Sequence, residues 1–534
     1  MDWQRLGAQS RNPFALIKGV VVILTAGLLL AWVILQVRGP VGKDSVSEVE
    51  WLMQVMQDPG EVLRAEYSQL AGAHHEAPRE LARWLRRAAA ALPSEALKEE
   101  RWGAYELEPL LQVHAPTSEL RALFAAYLVA TREPDAESVK QALFILEKTA
   151  AEEPPPPLAN QLLAQDCLRR KEVPTGVEAL VREGRFFEEA GSARGESLYW
   201  AVQAQMTDRL RQLLALPGWA EEAEPAVLFQ AGRLTGDRWL EWRSLFVLRL
   251  RHLQPLALIL TFAAVGLWYV VLVRHQPASR WRWAWPLPAL MAGVVSIWPT
   301  LSLAGFQEQV LGLSPDAPFP HNLWFYFGGI GLREELCKLA LFVPFLPWLL
   351  MKRQPGLALI TGAFVGLGFA LEENLDYYQA NGGEAVWTRF ITANFMHAGL
   401  TGLAGNALYE VVRSRFHDVA RFVTQLLMVI GLHGLYDFLI LDDTMNWLGA
   451  DLGSLIVLVI LARQFFHELR QATRPDPRRI PPPAIFAIGS ALLVALVLVL
   501  TAWSGGSWSE VMASARSCVA LVPIGLLYWR ELTA

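Results

Sequence analysis

Residues 323–351 read LWFYFGGIGLREELCKLALFVPFLPWLLM, an apolar segment that is interrupted near its middle by one arginine, two glutamates and one lysine. The segment is long enough to cross the ~30 Å hydrocarbon core of a bilayer, which takes ~20 helical residues. An ionised side chain at the bilayer centre costs at least ~2.5 kcal/mol on insertion scales. We therefore expect a membrane-embedded helix whose charged residues have a function.

The rest of the chain contains further apolar runs, which predict an all-α, polytopic membrane protein with about ten transmembrane helices. Of its residues, 53% are hydrophobic, which exceeds the ~45–50% usual for soluble proteins. The first run is longer than the core of a signal peptide and lacks a cleavage site, so it predicts an uncleaved signal anchor. The runs besides 323–351 are 14–37, 253–273, 283–305, 356–377, 387–412, 421–441, 447–464, 484–503 and 511–528.

A polar insertion separates the first span from the others. The predicted domains are a cytoplasmic N-terminus and anchor at 1–43, a helical domain at 44–250 and a membrane domain at 251–534. The insertion is rich in Ala, Leu, Glu and Arg, and its apolar residues recur at helical spacing. Its paired helices resemble a tetratricopeptide-type array, and an irregular helical domain fits the same pattern equally well.

Basic residues concentrate in alternate loops of the membrane domain, which predicts its orientation. Lys352 and Arg353 lie in one such loop and Arg413 and Arg415 in another, whereas the intervening loops contain neither lysine nor arginine. By the positive-inside rule, both termini are cytoplasmic and residues 44–250 are extracytoplasmic. The net charge of −5 gives no sign of a nucleic-acid partner. The lysine-free and arginine-free loops are 306–322, 378–386, 442–446 and 504–510.

Four of the spans contain ionisable residues, as expected of a functional site inside a membrane. Counted at 1.5 Å per helical residue, these positions fall at similar depths in the middle to outer half of the bilayer. Residues four apart share a helix face, so two pairs of them can interact. Glu335 lies about 100° around the helix from Glu334. The candidates are Glu334, Glu335 and Lys338 on 323–351, Glu373 on 356–377, His397 on 387–412, and His433 and Asp437 on 421–441.

The order of these residues resembles the motifs of the PrsW family of intramembrane proteases. Glu334 to Lys338 is similar to its E-E-x-x-K motif, and Phe369 to Glu373, continuing to Asn374, to its second motif. His397 is similar to its third-helix histidine, and residues 433–437 to its H-G-x-x-D motif. The family is similar to the CAAX prenyl-protease and bacteriocin-processing proteins. The resemblance covers about 320–445, which is the predicted protease core.

The resemblance implies a protease that cleaves a single-pass membrane protein, such as an anti-sigma factor. It implies that Glu334 is the general base, with Glu335 beside it and Lys338 favouring the ionised carboxylate. Two mechanisms remain open. Without a metal, Glu334 and Glu373 share a proton and handle the water, while His433 supports the oxyanion.

In the second mechanism, Glu373, His397 and His433 bind Zn²⁺ or another divalent ion, which activates water. Asp437 then suits the role of an outer partner of a metal-bound His433.

Two functions of other classes compete with proteolysis. One is a non-catalytic envelope scaffold, in which the helical domain binds protein partners and the membrane part anchors it. The other is a proton-coupled transporter, in which intramembrane Glu and His relay protons. The sequence shows no internal inverted repeat, a feature of many transporters, and this disfavours the second alternative.

Overall fold

The computed structural model describes most of the chain, and its regular structure there is helical. No strand occurs in the part that it describes. This confirms the all-α membrane protein. The described residues are 10–38, 59–72, 77–91, 102, 107–132, 135–251, 255–276, 282–354, 356–380, 385–442, 450–473, 480–503 and 507–533.

The chain forms two compact units. One combines Met1–Val41 with Leu253–Ala534, and the other is Gly42–His252. The predicted domain limits at 43 and 250 remain predictions, because residues 39–58 and 252–254 lie outside the described part. Parts of the loops that define the predicted orientation, namely 277–281, 381–384, 443–449, 474–479 and 504–506, lie outside it as well.

The helical unit is a succession of short helices that pack in chain order, α5 on α6, α7 on α8, α8 on α9 and α11 on α12. Whether it is a tetratricopeptide array stays a prediction. The helices are numbered in chain order, and the first one, α1 Pro13–Arg38, belongs to the membrane unit. The described helices of the helical unit are α2 Pro59–Gly72, α3 Pro78–Ala91, α4 Glu108–His114, α5 Ser118–Arg132, α6 Ala136–Ala150, α7 Ala159–Arg169, α8 Val173–Phe186, α9 Gly191–Gln203, α10 Thr207–Leu214, α11 Pro225–Thr235 and α12 Arg238–Arg251.

Local sequence signals explain several of these helix ends. Asp135 precedes α6, and its side chain accepts the Ser138 N–H at 2.9 Å, which caps the first turn. The buried Glu183 of α8 accepts the Leu158 N–H at 2.9 Å, so a carboxylate from the next helix caps the start of α7. Burial raises the pKa of the Glu183 carboxyl.

The membrane unit continues with α13, and several of its helices are longer than those of the helical unit. Its described elements after α1 are α13 Pro255–Arg274, α14 Leu287–Val310, α15 Asn322–Trp324, a π-helix Phe325–Gly331, α16 Leu332–Phe342, a 3₁₀ turn Val343–Phe345, α17 Leu346–Lys352, α18 Leu357–Ala380, α19 Ala385–Ile391, α20 Ala393–Arg413, α21 Val419–Leu441, α22 Ala450–Ala472, α23 Pro482–Trp503, α24 Trp508–Ala520 and α25 Val522–Thr533.

Seven of the described helices are long and apolar enough to cross a membrane, namely α1, α13, α14, α18, α21, α22 and α23. The pair α24 and α25, bent by 45°, makes an eighth if it is one span. The two other predicted spans, 323–351 and 387–412, contain the Glu-Glu pair and His397, and neither is among these helices. The count of ten therefore stays a prediction, while the multi-pass membrane protein is confirmed.

The predicted span 323–351 is a broken helix rather than a regular one. Three glycines fall within the π-helix that precedes α16, and such π-segments are frequent at functional sites. Pro344 and Pro347 follow α16, and because proline lacks an N–H and clashes with the preceding turn, the helix narrows to a 3₁₀ turn there. Glu334, Glu335 and Lys338 lie on the regular part between these two irregularities.

The helix α20 lies at the centre of the membrane unit. All residues from Ala393 to Gly405 are buried, and α20 packs on α18, α21 and α22. A helix that is surrounded by protein does not face lipid, so it tolerates polar residues that a lipid-facing helix would not. This explains why α20 is too polar to qualify as a span by hydropathy.

Glycines allow the central helices to approach closely. A Cβ on Gly366 of α18 would lie 2.5 Å from the carbonyl carbon of His397 on α20. A Cβ on Gly434 of α21 would lie 2.8 Å from the Cα of Phe327 in the π-helix. Only a residue without a side chain fits either crossing, and both crossings lie next to candidate site residues.

Candidate active site

The E-E-x-x-K segment of α16 forms a buried ionic cluster. Lys338 Nζ lies 2.9 Å from Glu335 Oε1 and 3.2 Å from Glu334 Oε2. The predicted pair of Glu334 and Lys338 is therefore confirmed. Glu335 also binds Lys338, because residues three apart on a helix are neighbours just as residues four apart are. Lys338 thus joins both carboxylates.

Lys338 also joins α16 to the two central helices. Its ammonium lies 2.9 Å from His397 Nδ1 of α20 and 3.9 Å from the centre of the Phe369 ring of α18. An ammonium donates three hydrogen bonds and accepts none, so His397 Nδ1 must be the acceptor. The proton of a neutral His397 is then on Nε2, which lies 2.9 Å from Glu373 Oε2.

The second histidine, His433 of α21, contacts three carboxylates. Its Nδ1 lies 2.8 Å from Glu335 Oε1, while its Nε2 lies 3.5 Å from Glu334 Oε2 and 3.4 Å from Asp437 Oδ2. A neutral imidazole donates from one nitrogen only. If that nitrogen is Nδ1, which makes the shortest contact, the Nε2 lone pair faces two carboxylate oxygens. A cation or a second proton on His433 is needed to balance this arrangement.

The site is closed on one side and open on the other. The side chains of Lys338 and Glu335 are fully buried, and Thr401 Oγ1 donates to Glu335 Oε2 at 3.1 Å. The exposed fraction rises to 16% for the Asp437 side chain and to 26% for that of Glu373. The carboxylates of Glu373 and Asp437 therefore lie on the open side of the site, whereas the Glu335–Lys338 pair forms its floor.

A further cation, Arg389 of α19, completes the set of contacts. Its Nη2 lies 2.6 Å from Glu373 Oε2. Sequence reasoning missed this residue, although a charge inside the predicted apolar span 387–412 was a usable signal. Among the described residues, contacts of 3.5 Å or less thus link eight acidic, basic and histidine side chains that we call the site network: Glu334, Glu335, Lys338, Glu373, Arg389, His397, His433 and Asp437.

The charges of the site network are unequal. It holds four carboxylates and two cations, so with neutral imidazoles two negative charges are left over. Buried charges are normally paired or bound to a metal. One divalent cation would balance the site network.

Three members of the site network are arranged so that they could hold such an ion. One ligand atom from each of Glu334, His397 and His433 lies within 4.8 Å of the other two, and all three residues are buried. One carboxylate and two imidazoles are also the ligands of many catalytic zinc sites, so these residues fit a metal. We call them the metal triplet.

The metal triplet differs by one residue from the predicted ligand set. His397 and His433 belong to both sets, but the carboxylate of the triplet is Glu334. Glu373 instead contacts His397 Nε2 and Arg389. The expectation that Glu373 is itself a ligand stays a prediction.

The fold and the site network define a class, namely polytopic helical membrane proteins with a buried carboxylate and histidine site. Residues 254–463 match the model of the PrsW family intramembrane metalloprotease, and this segment contains the whole site network. This match supports an intramembrane protease of the PrsW type within the membrane domain. No curated protein and no solved structure matches the chain significantly.

Proposed function

We propose that this protein is a metal-dependent peptidase that cleaves membrane-anchored proteins at the site network. The observation that carries the proposal is the convergence of Glu334, His397 and His433 within 4.8 Å, from three separate helices. Charges in membrane helices are costly, and they persist where they serve a function. The family match and the charge balance of the site network support the same conclusion.

The metal triplet would hold the ion. His397 would bind it through Nδ1, so Lys338, which donates to that atom in the structure, would then donate to Glu334 and Glu335 alone. A divalent cation such as Zn²⁺ supplies Lewis-acid activation of water and of the peptide carbonyl when it is bound. Two carboxylates orient the imidazoles: Glu335 accepts from His433 Nδ1 at 2.8 Å, and Glu373 accepts from His397 Nε2 at 2.9 Å. Such outer carboxylates fix the ring orientation and tautomer of ligating histidines.

Proton transfer then falls to a carboxylate on the open side of the site. Asp437 Oδ2 lies 3.4 Å from His433 Nε2, next to the metal triplet. Its side chain is 16% exposed, so water can reach it. The resemblance gives the general-base role to Glu334, but Glu334 would hold the ion in our proposal. Asp437 therefore accepts the proton of the attacking water and delivers it to the leaving amine, as a general base and acid. Lys338 pairs with the carboxylates of both Glu334 and Glu335.

The substrate in this proposal is a single-pass membrane protein of the anti-sigma-factor kind. The alternation of basic loops supports a site in the middle to outer half of the bilayer, cytoplasmic termini and an extracytoplasmic helical domain. That domain would select substrates. Deleting about 50–240 should therefore alter which proteins are cleaved, and an unchanged set of products would count against this role.

The proposed activity is tested by comparing the membrane proteomes of cells with the wild-type protein and with Glu334→Gln. The matched control is Glu410→Gln, which changes a surface glutamate on α20 that pairs with Arg413. We expect one or a few single-pass proteins to accumulate as full-length forms in Glu334→Gln cells only. If no protein accumulates while the variant is present at normal levels, the protein acts as a scaffold rather than as a protease.

A further inference from the structure

Arg389 makes more polar contacts than a simple ion pair requires. It lies on the short helix α19, and only 12% of its side chain is exposed. Its Nη2 donates to Glu373 Oε2 at 2.6 Å and its Nε donates to Asn374 Oδ1 at 2.6 Å. The guanidinium also lies 3.8 Å from the centre of the Tyr377 ring. All three partners lie near the C-terminal end of α18, so Arg389 holds α19 against that end of α18.

The same contacts continue to α20. Glu373 Oε2 accepts from both Arg389 and His397 Nε2. Asn374 Nδ2 in turn donates to Asn394 Oδ1 at 2.6 Å, and Asn394 lies one helical turn before His397. Arg389 thus determines where the carboxylate that meets His397 is placed, although no contact of Arg389 with the metal triplet is found in the described residues.

We propose that Arg389 is a positioning residue of the active site, which acts on His397 through Glu373. Glu373 is the most exposed carboxylate of the site network, so without an anchor it can turn toward water. Arg389 prevents this, and His397 keeps its proton on Nε2 and presents Nδ1 toward Lys338 and Glu334. The rigid guanidinium fork suits two acceptors, Glu373 and Asn374, in a way that a lysine ammonium does not.

The direct test observes His397 itself in the metal-free, full-length protein. Solid-state NMR of histidine-labelled protein in lipid bilayers reports the Nε2–H proton, and His397→Gln assigns its signal by difference. We expect a strongly hydrogen-bonded Nε2–H in the wild type, loss of that signal in Arg389→Gln and an intermediate spectrum in Arg389→Lys. Arg470→Gln is the control, since it breaks another partly buried ion pair, with Glu531, outside the site network. An Nε2–H signal that is unchanged in Arg389→Gln would overturn the proposal.

A second test uses the kinetics and rests on the proposed function. Arg389→Gln and Glu373→Gln should each lower kcat by roughly 10–100-fold, the usual effect of losing an outer partner of a ligating histidine, and leave KM nearly unchanged. Because Arg389 acts through Glu373, the double variant should be no slower than Glu373→Gln. Losses that multiply would show that Arg389 acts by another route and would overturn the inference.

The two proposals fail in different ways. If Glu334→Gln retains full activity, the proposed function is wrong, and the NMR result still decides the role of Arg389. If Glu334→Gln is inactive while Arg389→Gln is as active as Arg470→Gln, the function stands and the positioning role is wrong.

Discussion

The close crossing of α18 and α20 at Gly366 should be essential to the active site. In Gly366→Ala, the new Cβ would lie 2.5 Å from the carbonyl carbon of His397 and would overlap the carbonyl oxygen even more closely. Ordinary van der Waals contact begins at 3.4 Å. The backbone at His397 must therefore move away by about 1 Å, because the obstructing atoms belong to a buried helix and not to a flexible side chain.

A displacement of this size has a predictable effect on the rate. A misplacement of about 1 Å in a catalytic group can cost ~100-fold, which corresponds to ~2.7 kcal/mol of activation free energy. Overpacking should also lower the free energy of unfolding by ~1–3 kcal/mol. The assay is cleavage of the substrate found in the proteomic comparison, by purified protein in proteoliposomes, normalised to the folded fraction.

A second glycine provides a control that distinguishes the steric effect of Gly366→Ala from the effect of any glycine-to-alanine change in a helix. Gly431 lies on α21, two residues before His433, and a Cβ there would meet no atom within 4 Å. Gly431→Ala changes the helix propensity in the same way but should retain its activity. If the folded Gly366→Ala protein is as active as Gly431→Ala, the helix crossing does not position His397 as described.

Three further substitutions test other parts of the account. Glu335→Gln weakens the partner of His433 Nδ1, and we expect Zn²⁺ affinity, measured by competition with a chromophoric chelator, to fall by roughly 10–100-fold; an unchanged affinity would contradict the orienting role. Asp437→Asn keeps the size of the side chain but removes the proton acceptor, so kcat should fall by at least ~100-fold with little change in KM, and a change confined to KM would contradict it. Glu183→Ala leaves the Leu158 N–H without its acceptor, so the helical domain should lose roughly 1–3 kcal/mol of unfolding free energy in urea titrations. Burial raises the pKa of the Glu183 carboxyl, so its folded form binds a proton more tightly than its unfolded form. The wild-type domain should therefore lose stability as the pH rises above ~4.3, and the variant should lack that part of the pH dependence.

The sequence was sufficient for the contacts that lie within one helix. Spacing alone predicted that Glu334 would pair with Lys338 and that His433 would share a face with Asp437, and both pairs are present. The similar depths of the polar residues further predicted that separate helices contribute to one site. The contact of Glu335 with His433 confirms that α16 and α21 meet there.

Contacts between helices depend on packing that the sequence does not specify. The role of Arg389 depends on how the short helix α19 lies against α18, and nothing in the spacing of 385–391 indicates that. Similarly, the choice between Glu334 and Glu373 as the third member of the metal triplet depends on the rotation of α16 and α18. The break in the helix at 323–351 could have been predicted from the sequence, because Pro344 and Pro347 disfavour a continuous helix.

The central claim is that the site network is a metal-dependent peptidase site, and a metal titration tests it most directly. Full-length protein is stripped of metal with a chelator, placed in proteoliposomes with its membrane-anchored substrate and titrated with Zn²⁺, while elemental analysis reports the bound ion. The account predicts no cleavage without metal, a rise in rate that is complete at one ion per chain, and no cleavage by Glu334→Gln at any Zn²⁺ concentration. Full activity of metal-free protein, or equal rates for the wild type and Glu334→Gln, would contradict it.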